Sequence, residues 1–85
     1  MMYTVVWRPF AERTLIELWT DTEDRQLVTG AANTIDSLLR SDPLDVGESR
    51  SDDSRFLYVA PLAVYYDVFP QDRRVAVWAI WRHPM

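Results

Sequence analysis

The chain has 85 residues and no cysteine, which bounds it to one domain, residues 1–85, with neither disulfides nor a thiolate zinc site. Apolar residues make up 48%, including four Trp, four Tyr and three Phe, so a chain of marginal size still has enough large side chains to build a core. A net charge of −4 argues against strong nonspecific binding to nucleic acid, which depends on neutralising phosphates.

No stretch approaches the roughly 20 apolar residues that a membrane span needs. The N-terminus has no basic region followed by a long apolar run, so no signal peptide is expected and a cytoplasmic location is the default. All nine basic residues are arginine, which binds carboxylate and phosphate through a planar fork; the same bias also fits a GC-rich coding sequence.

In chain order, Tyr3 to Arg8 predicts a strand, with Tyr3, Val5 and Trp7 alternating against Thr4, Val6 and Arg8. Pro9 ends it and opens a helix, because the first helical turn does not need the missing N–H. From Phe10 to about Trp19, Ala11, Leu15, Leu18 and Trp19 recur at helical spacing. Thr20-Asp21-Thr22-Glu23 interrupts the pattern, and Thr20 with Glu23 has the spacing of a capping box, Asp21 and Thr22 being alternative caps. Glu23 to Arg40 predicts the clearest helix, with one apolar stripe of Leu27, Val28, Ala31, Ala32, Ile35, Leu38 and Leu39, of which Leu27, Ala31, Ile35 and Leu38 are expected to be buried. Asp42-Pro43 stops it, since a residue before proline is pushed out of the α region.

Leu44 to Ser54 reads as a polar, acidic loop. Arg55 to Ala60 predicts a strand, with Pro61 at a corner or bulge after it. Leu62 to Phe69 and Arg74 to Trp81 are nearly continuous apolar runs and predict further strands, joined by a turn at Pro70–Arg73. The order βααβββ, two helices followed by a strand meander, predicts an α+β domain with both helices packed on one face of an antiparallel sheet.

The chemistry-bearing motifs are few. There is no glycine-rich phosphate loop, because Gly30 and Gly47 are the only glycines, and with His83 the only histidine there is no metal-ligand spacing. Asp42, Asp45, Asp52 and Asp53 read as loop solvation. No cofactor is expected.

Trp7-Arg8-Pro9-Phe10-Ala11-Glu12-Arg13, the Asp42-Pro43 helix stop, Gly47-Glu48-Ser49-Arg50 ahead of a strand opening at Arg55, and the final apolar hairpin occur in an order that resembles the RelE/ParE toxins of type II toxin–antitoxin systems, over essentially the whole chain. The resemblance implies the RelE/ParE fold and a cognate antitoxin as partner. It also implies one of two targets: the ribosome and its mRNA, cleaved by attack of the ribose 2′-OH on the adjacent phosphate, or DNA gyrase, inhibited without cleavage. A degenerate, non-catalytic binding module is the third alternative.

RNA cleavage of that kind needs a base, cations for the phosphorane charge and an acid. Carried over onto this chain, the resemblance nominates Glu48, Arg55, Arg82 and His83 as catalytic and Arg50 as substrate-binding. Each has a plainer reading: Glu48 as a cap for Arg50, Arg55 and Arg82 as charges guarding strand ends, His83 as a solvated terminal residue. The arginine usual in the family's strand is Ala63 here, no lysine exists, and the C-terminal His-Tyr of some members is His83-Pro84. Trp78 and Trp81 are candidates to stack on bases, but their apolar strand reads as core. A competent nuclease site requires that at least two arginines and one of Glu48 or His83 converge on one face. An antitoxin requires an exposed apolar groove.

Overall fold

The structure is a computed structural model that describes residues 2–50 and 54–83. Strand β1 (Thr4–Trp7) leads into helix α1 (Pro9–Asp21), then helix α2 (Arg25–Ser41), a short strand β2 (Glu48–Ser49), and a meander of β3 (Ser54–Val59), β4 (Leu62–Phe69) and β5 (Arg74–Arg82). The sheet order is β1-β5-β4-β3-β2. No helix among the described residues is long and apolar enough to cross a membrane.

The meander is antiparallel as predicted, but the sheet as a whole is mixed. β1 docks on the free edge of β5 and runs parallel to it, Val5 beside Val75 and Trp7 beside Val77. Parallel neighbours need a long connection, and the two helices with the strands that follow provide it. The expected loop also carries one extra element, since Glu48 and Ser49 pair with Phe56 and Arg55 at the far edge.

Alternation along β4 separates the two faces. Leu62, Val64, Tyr66 and Val68 enter the core with both helices, together with Leu57 of β3 and Val75, Val77 and Ile80 of β5. Ala63, Tyr65, Asp67 and Phe69 face the other way.

Pro9 occupies the first helical turn of α1 behind an extended Arg8, and Ala11 is fully buried. The helix runs to Asp21, so the predicted capping box does not form. Thr20 lies in the last turn, where its hydroxyl donates to the Ile16 carbonyl at 2.8 Å, and Asp24 stands at the start of α2 without a side-chain cap.

In α2 the buried residues are Val28, Ala31, Ile35 and Leu39. Ala31 and Ile35 are where the sequence puts them. Leu27 is 49% exposed and Leu38 only partly covered, so the core-facing stripe is displaced by one residue at each end of the expected set. Adjacent apolar pairs, Leu27-Val28 and Leu38-Leu39, make both phases available, and the helix adopts the one that places Val28 and Leu39 over the sheet.

Candidate functional site

The sheet face away from the helices is paved with aromatic side chains. Strand register places Phe56 beside Tyr65 and Tyr58 beside Ala63 on β3 and β4, and Ala63 beside Trp81 on β4 and β5. The β4–β5 pairing slips at Tyr65/Tyr66, opposite Ala79 and Val77, leaving Trp78 as the extra residue of a bulge. Tyr65 stands at the centre of the resulting cluster. Its ring stacks on Trp78 (5.1 Å, 9° between planes), lies 5.1 Å from Trp81, and meets Phe56 edge-on at 5.7 Å. Such pairs each add about 0.5–1.5 kcal/mol beyond their burial.

Asp67 anchors the row. One carboxylate oxygen accepts from the Trp78 indole N–H at 3.1 Å and from the Ser54 hydroxyl at 2.6 Å. At the other end the Arg50 guanidinium sits 5.0 Å over the Phe56 ring. Ala63, at the place where the resemblance implies an arginine, is fully buried between these larger neighbours.

Arg50 and Glu48 form an ion pair at 3.3 Å on the exposed rim. His83 lies on the same side, its ring 5.0 Å from Tyr58 and its backbone N–H donating to the Pro61 carbonyl.

Arg55 and Arg82 are turned to the opposite, helix-bearing face. Arg55 is cross-strand to Tyr66, and its Nη2 donates to the Gly47 carbonyl at 2.6 Å. Its Nε is buried without a hydrogen-bond partner among the described residues. Arg82 is cross-strand to Leu62 and its Nη1 donates to Thr22 Oγ1 at 3.2 Å, tying the strand end to the link between the helices. Their β4 partners lie four residues apart, about 13 Å along the strand. The structure thus groups Glu48 with Arg50 and sets His83 on their face, while Arg55 and Arg82 stand apart from them and from each other.

Arg55 belongs to a clamp on the segment after α2. The Tyr66 hydroxyl, buried beneath this segment, donates to the Pro43 carbonyl at 2.8 Å. Burial raises the Tyr66 pKa above its ordinary value, with Arg55 opposing the shift. Gly47 packs so closely on the Tyr66 hydroxyl and the Phe56 carbonyl that a Cβ there would collide with both. Asp42 sits at the surface of the same segment, its pKa raised because its protonated carboxyl can donate to the neighbouring Asp45 carboxylate, whose charge also disfavours ionisation. Asp52, Asp53 and Pro84 lie outside the described residues. Among the described residues, no group of three or more acidic or His side chains is arranged to hold a metal.

Two further surfaces were not located by the sequence, although an exposed apolar groove was expected. An apolar groove between α1 and α2 is walled by Leu15, Ile16, Trp19, Val28 and Ala32. A cleft on the aromatic side of the sheet, at the β1 edge, is lined by Arg8 and Arg74 with Val6 and Ala76. The signal for the second was the alternation of Thr4, Val6 and Arg8 along β1, but it carried no information about which strand would lie alongside.

No protein-family profile matches the sequence, and no curated protein matches it. Solved structures do match the architecture. A chain of the RelBE2 toxin–antitoxin complex of Mycobacterium tuberculosis superposes with a TM-score of 0.81 at 16% identity, over 98% of this chain and 93% of that one. The fold is that of the RelE and ParE toxins. A chain of the chromosomal ParDE system of P. aeruginosa superposes at 0.72 with 15% identity, covering 98% of each chain. The isolated E. coli RelE toxin superposes at 0.67 with 13% identity, over 98% of this chain and 86% of that one. At such identities the likeness to RelE and ParE is one of fold.

Proposed function

We propose that this chain is the toxin-like member of a type II toxin–antitoxin pair, held by a cognate antitoxin in the cytoplasm, and that it acts on its target by binding rather than by cleaving RNA. The observation that carries the second half is the division of the nominated nuclease residues. A phosphorane needs its cations within a few ångströms of the base and acid. Here Arg55 and Arg82 are engaged by Gly47 and Thr22 on one side of the sheet, with Glu48 and His83 on the other. An aromatic surface centred on Tyr65, with Ala63 buried beneath its neighbours, is suited to burying a partner and offers few groups for acid–base work.

Two observations support the antitoxin. The fold matches chains from toxin–antitoxin complexes. The groove between the helices, about 240 Å³ with exposed Ile16 and Trp19 on its walls, has the dimensions and character for the apolar face of an amphipathic segment.

Induced expression in a bacterial host, with and without the neighbouring reading frame, tests the proposal. Growth arrest relieved by the neighbour, without new ribosome-dependent mRNA ends by primer extension, is the expected result. Cleavage that disappears in Glu48→Ala or His83→Ala would restore the nuclease reading. Inhibition of supercoiling by purified protein would identify gyrase as the target. An absence of toxicity would leave a binding module.

A further inference from the structure

The geometry points to a second interaction site, the cleft between β1 and the start of β5, as a receptor for an acidic, extended peptide segment of a partner protein. The inference stands on the cleft itself and does not depend on the toxin reading.

The cleft, about 260 Å³, has Val6 and Ala76 for a floor, Pro9 and Phe69 as walls, and Arg8 and Arg74 as its only charged lining. Val6 is 43% exposed, so the floor offers apolar surface to an occupant. Arg40, Arg50, Arg55 and Arg82 are each engaged by an oxygen of this chain. Arg8 and Arg74 are exposed and have no ion pair or side-chain hydrogen bond among the described residues, and Arg74 is held over the Phe69 ring at 5.4 Å. Two unpaired guanidiniums flanking an apolar floor are complementary to carboxylates, which they grip in a bidentate manner.

The spacing specifies the ligand further. Thr4 pairs with Arg74, so Arg8 stands four residues further along the same strand direction, about 13 Å away. An extended peptide places residues i and i+4 on one face at about that separation, with i+2 between them. Acidic side chains at i and i+4 would meet the two arginines while an apolar side chain at i+2 covered Val6 and Ala76. Nucleic acid is the less favoured polyanion, because its affinity comes from neutralising many phosphates and this cleft offers only two guanidiniums.

The probe is the pentapeptide acetyl-Glu-Thr-Leu-Thr-Glu-amide, titrated into the 15N-labelled full chain at low salt. Saturable shifts confined to β1, the start of β5 and Phe69 are expected, with affinity falling at least fivefold in Arg8→Gln and in Arg74→Gln and as salt is raised. Both arginines are exposed, so the variants should keep the wild-type Tm and circular dichroism, which separates loss of the site from loss of the fold. The proposal is overturned if the peptide with both Glu replaced by Gln binds as well, if the variants bind as tightly as wild type, or if no shifts appear at millimolar peptide. It is equally overturned if inorganic phosphate or a ten-residue oligothymidylate binds the cleft more tightly than the peptide.

Discussion

Trp78 and Trp81, three residues apart on β5, face the same side of the sheet. In a regular strand they would point to opposite faces. The bulge opposite Tyr65/Tyr66 absorbs the odd residue, and Tyr65 packs on both rings at 5.1 Å. One irregularity therefore converts an alternating strand into one edge of an aromatic platform, while keeping Val77 and Ile80 in the core.

That packing should be measurable as coupling. A double-mutant cycle between Tyr65→Leu and Trp78→Ala, followed by urea denaturation, is expected to give an interaction energy of about 0.5–1.5 kcal/mol. Additive single effects would mean that the two rings do not act as a unit.

The phase of α2 separates two leucines. Leu39→Ala should cost about 2–5 kcal/mol, since Leu39 is fully buried. Leu27→Ala, at a half-exposed site, should cost under about 1 kcal/mol. Denaturation midpoints in the reverse order would place the core on Leu27, Ala31, Ile35 and Leu38, the four residues expected to be buried.

The two glycines should respond with opposite signs. Gly30 lies inside α2 with nothing within 4 Å of where a Cβ would stand, so Gly30→Ala should stabilise by up to about 1 kcal/mol through helix propensity. Gly47→Ala forces a methyl group into the Tyr66 hydroxyl and the Phe56 carbonyl and should cost about 1–3 kcal/mol. Thermal melts of the two variants decide both.

Tyr66 predicts an alkaline limit. Its pKa is higher in the folded than in the unfolded chain, so its contribution to stability is complete below about pH 10 and declines as pH rises through the folded value. Tyr66→Phe should lose about 1 kcal/mol at neutral pH, because the Pro43 carbonyl loses its donor. It should also flatten the fall in stability above pH 10, measured by denaturation at a series of pH values.

Arg55 and Arg82 distinguish anchoring from catalysis. Arg55→Ala is expected to lower stability by about 1–2 kcal/mol through loss of its bond to the Gly47 carbonyl. Arg82→Ala, whose side-chain hydrogen bond to Thr22 is exposed, should change stability by less than about 0.5 kcal/mol and leave any toxicity intact. Loss of toxicity in a stably folded Arg82→Ala protein would return Arg82 to the reacting centre.

The element order was legible because each element carries its own local signal. Pro9 and Asp42-Pro43 bracket the helices, the apolar spacing of α1 and α2 has a helical period, and the two long apolar runs have strand length and are bounded by Pro61 and the Pro70–Arg73 turn. What sequence could not decide depended on register between distant segments. Leu27-Val28 and Leu38-Leu39 offer two helix phases, and only packing on the sheet selects one. Arg55 and Arg82 are visible as residues at strand ends, but their orientation follows from being opposite Tyr66 and Leu62. The bulge at Trp78, the parallel docking of β1 on β5 and the resulting meeting of Arg8 with Arg74 are likewise contacts between residues far apart in the chain. No local propensity encodes them, because their free energy arises only once both partners are in place.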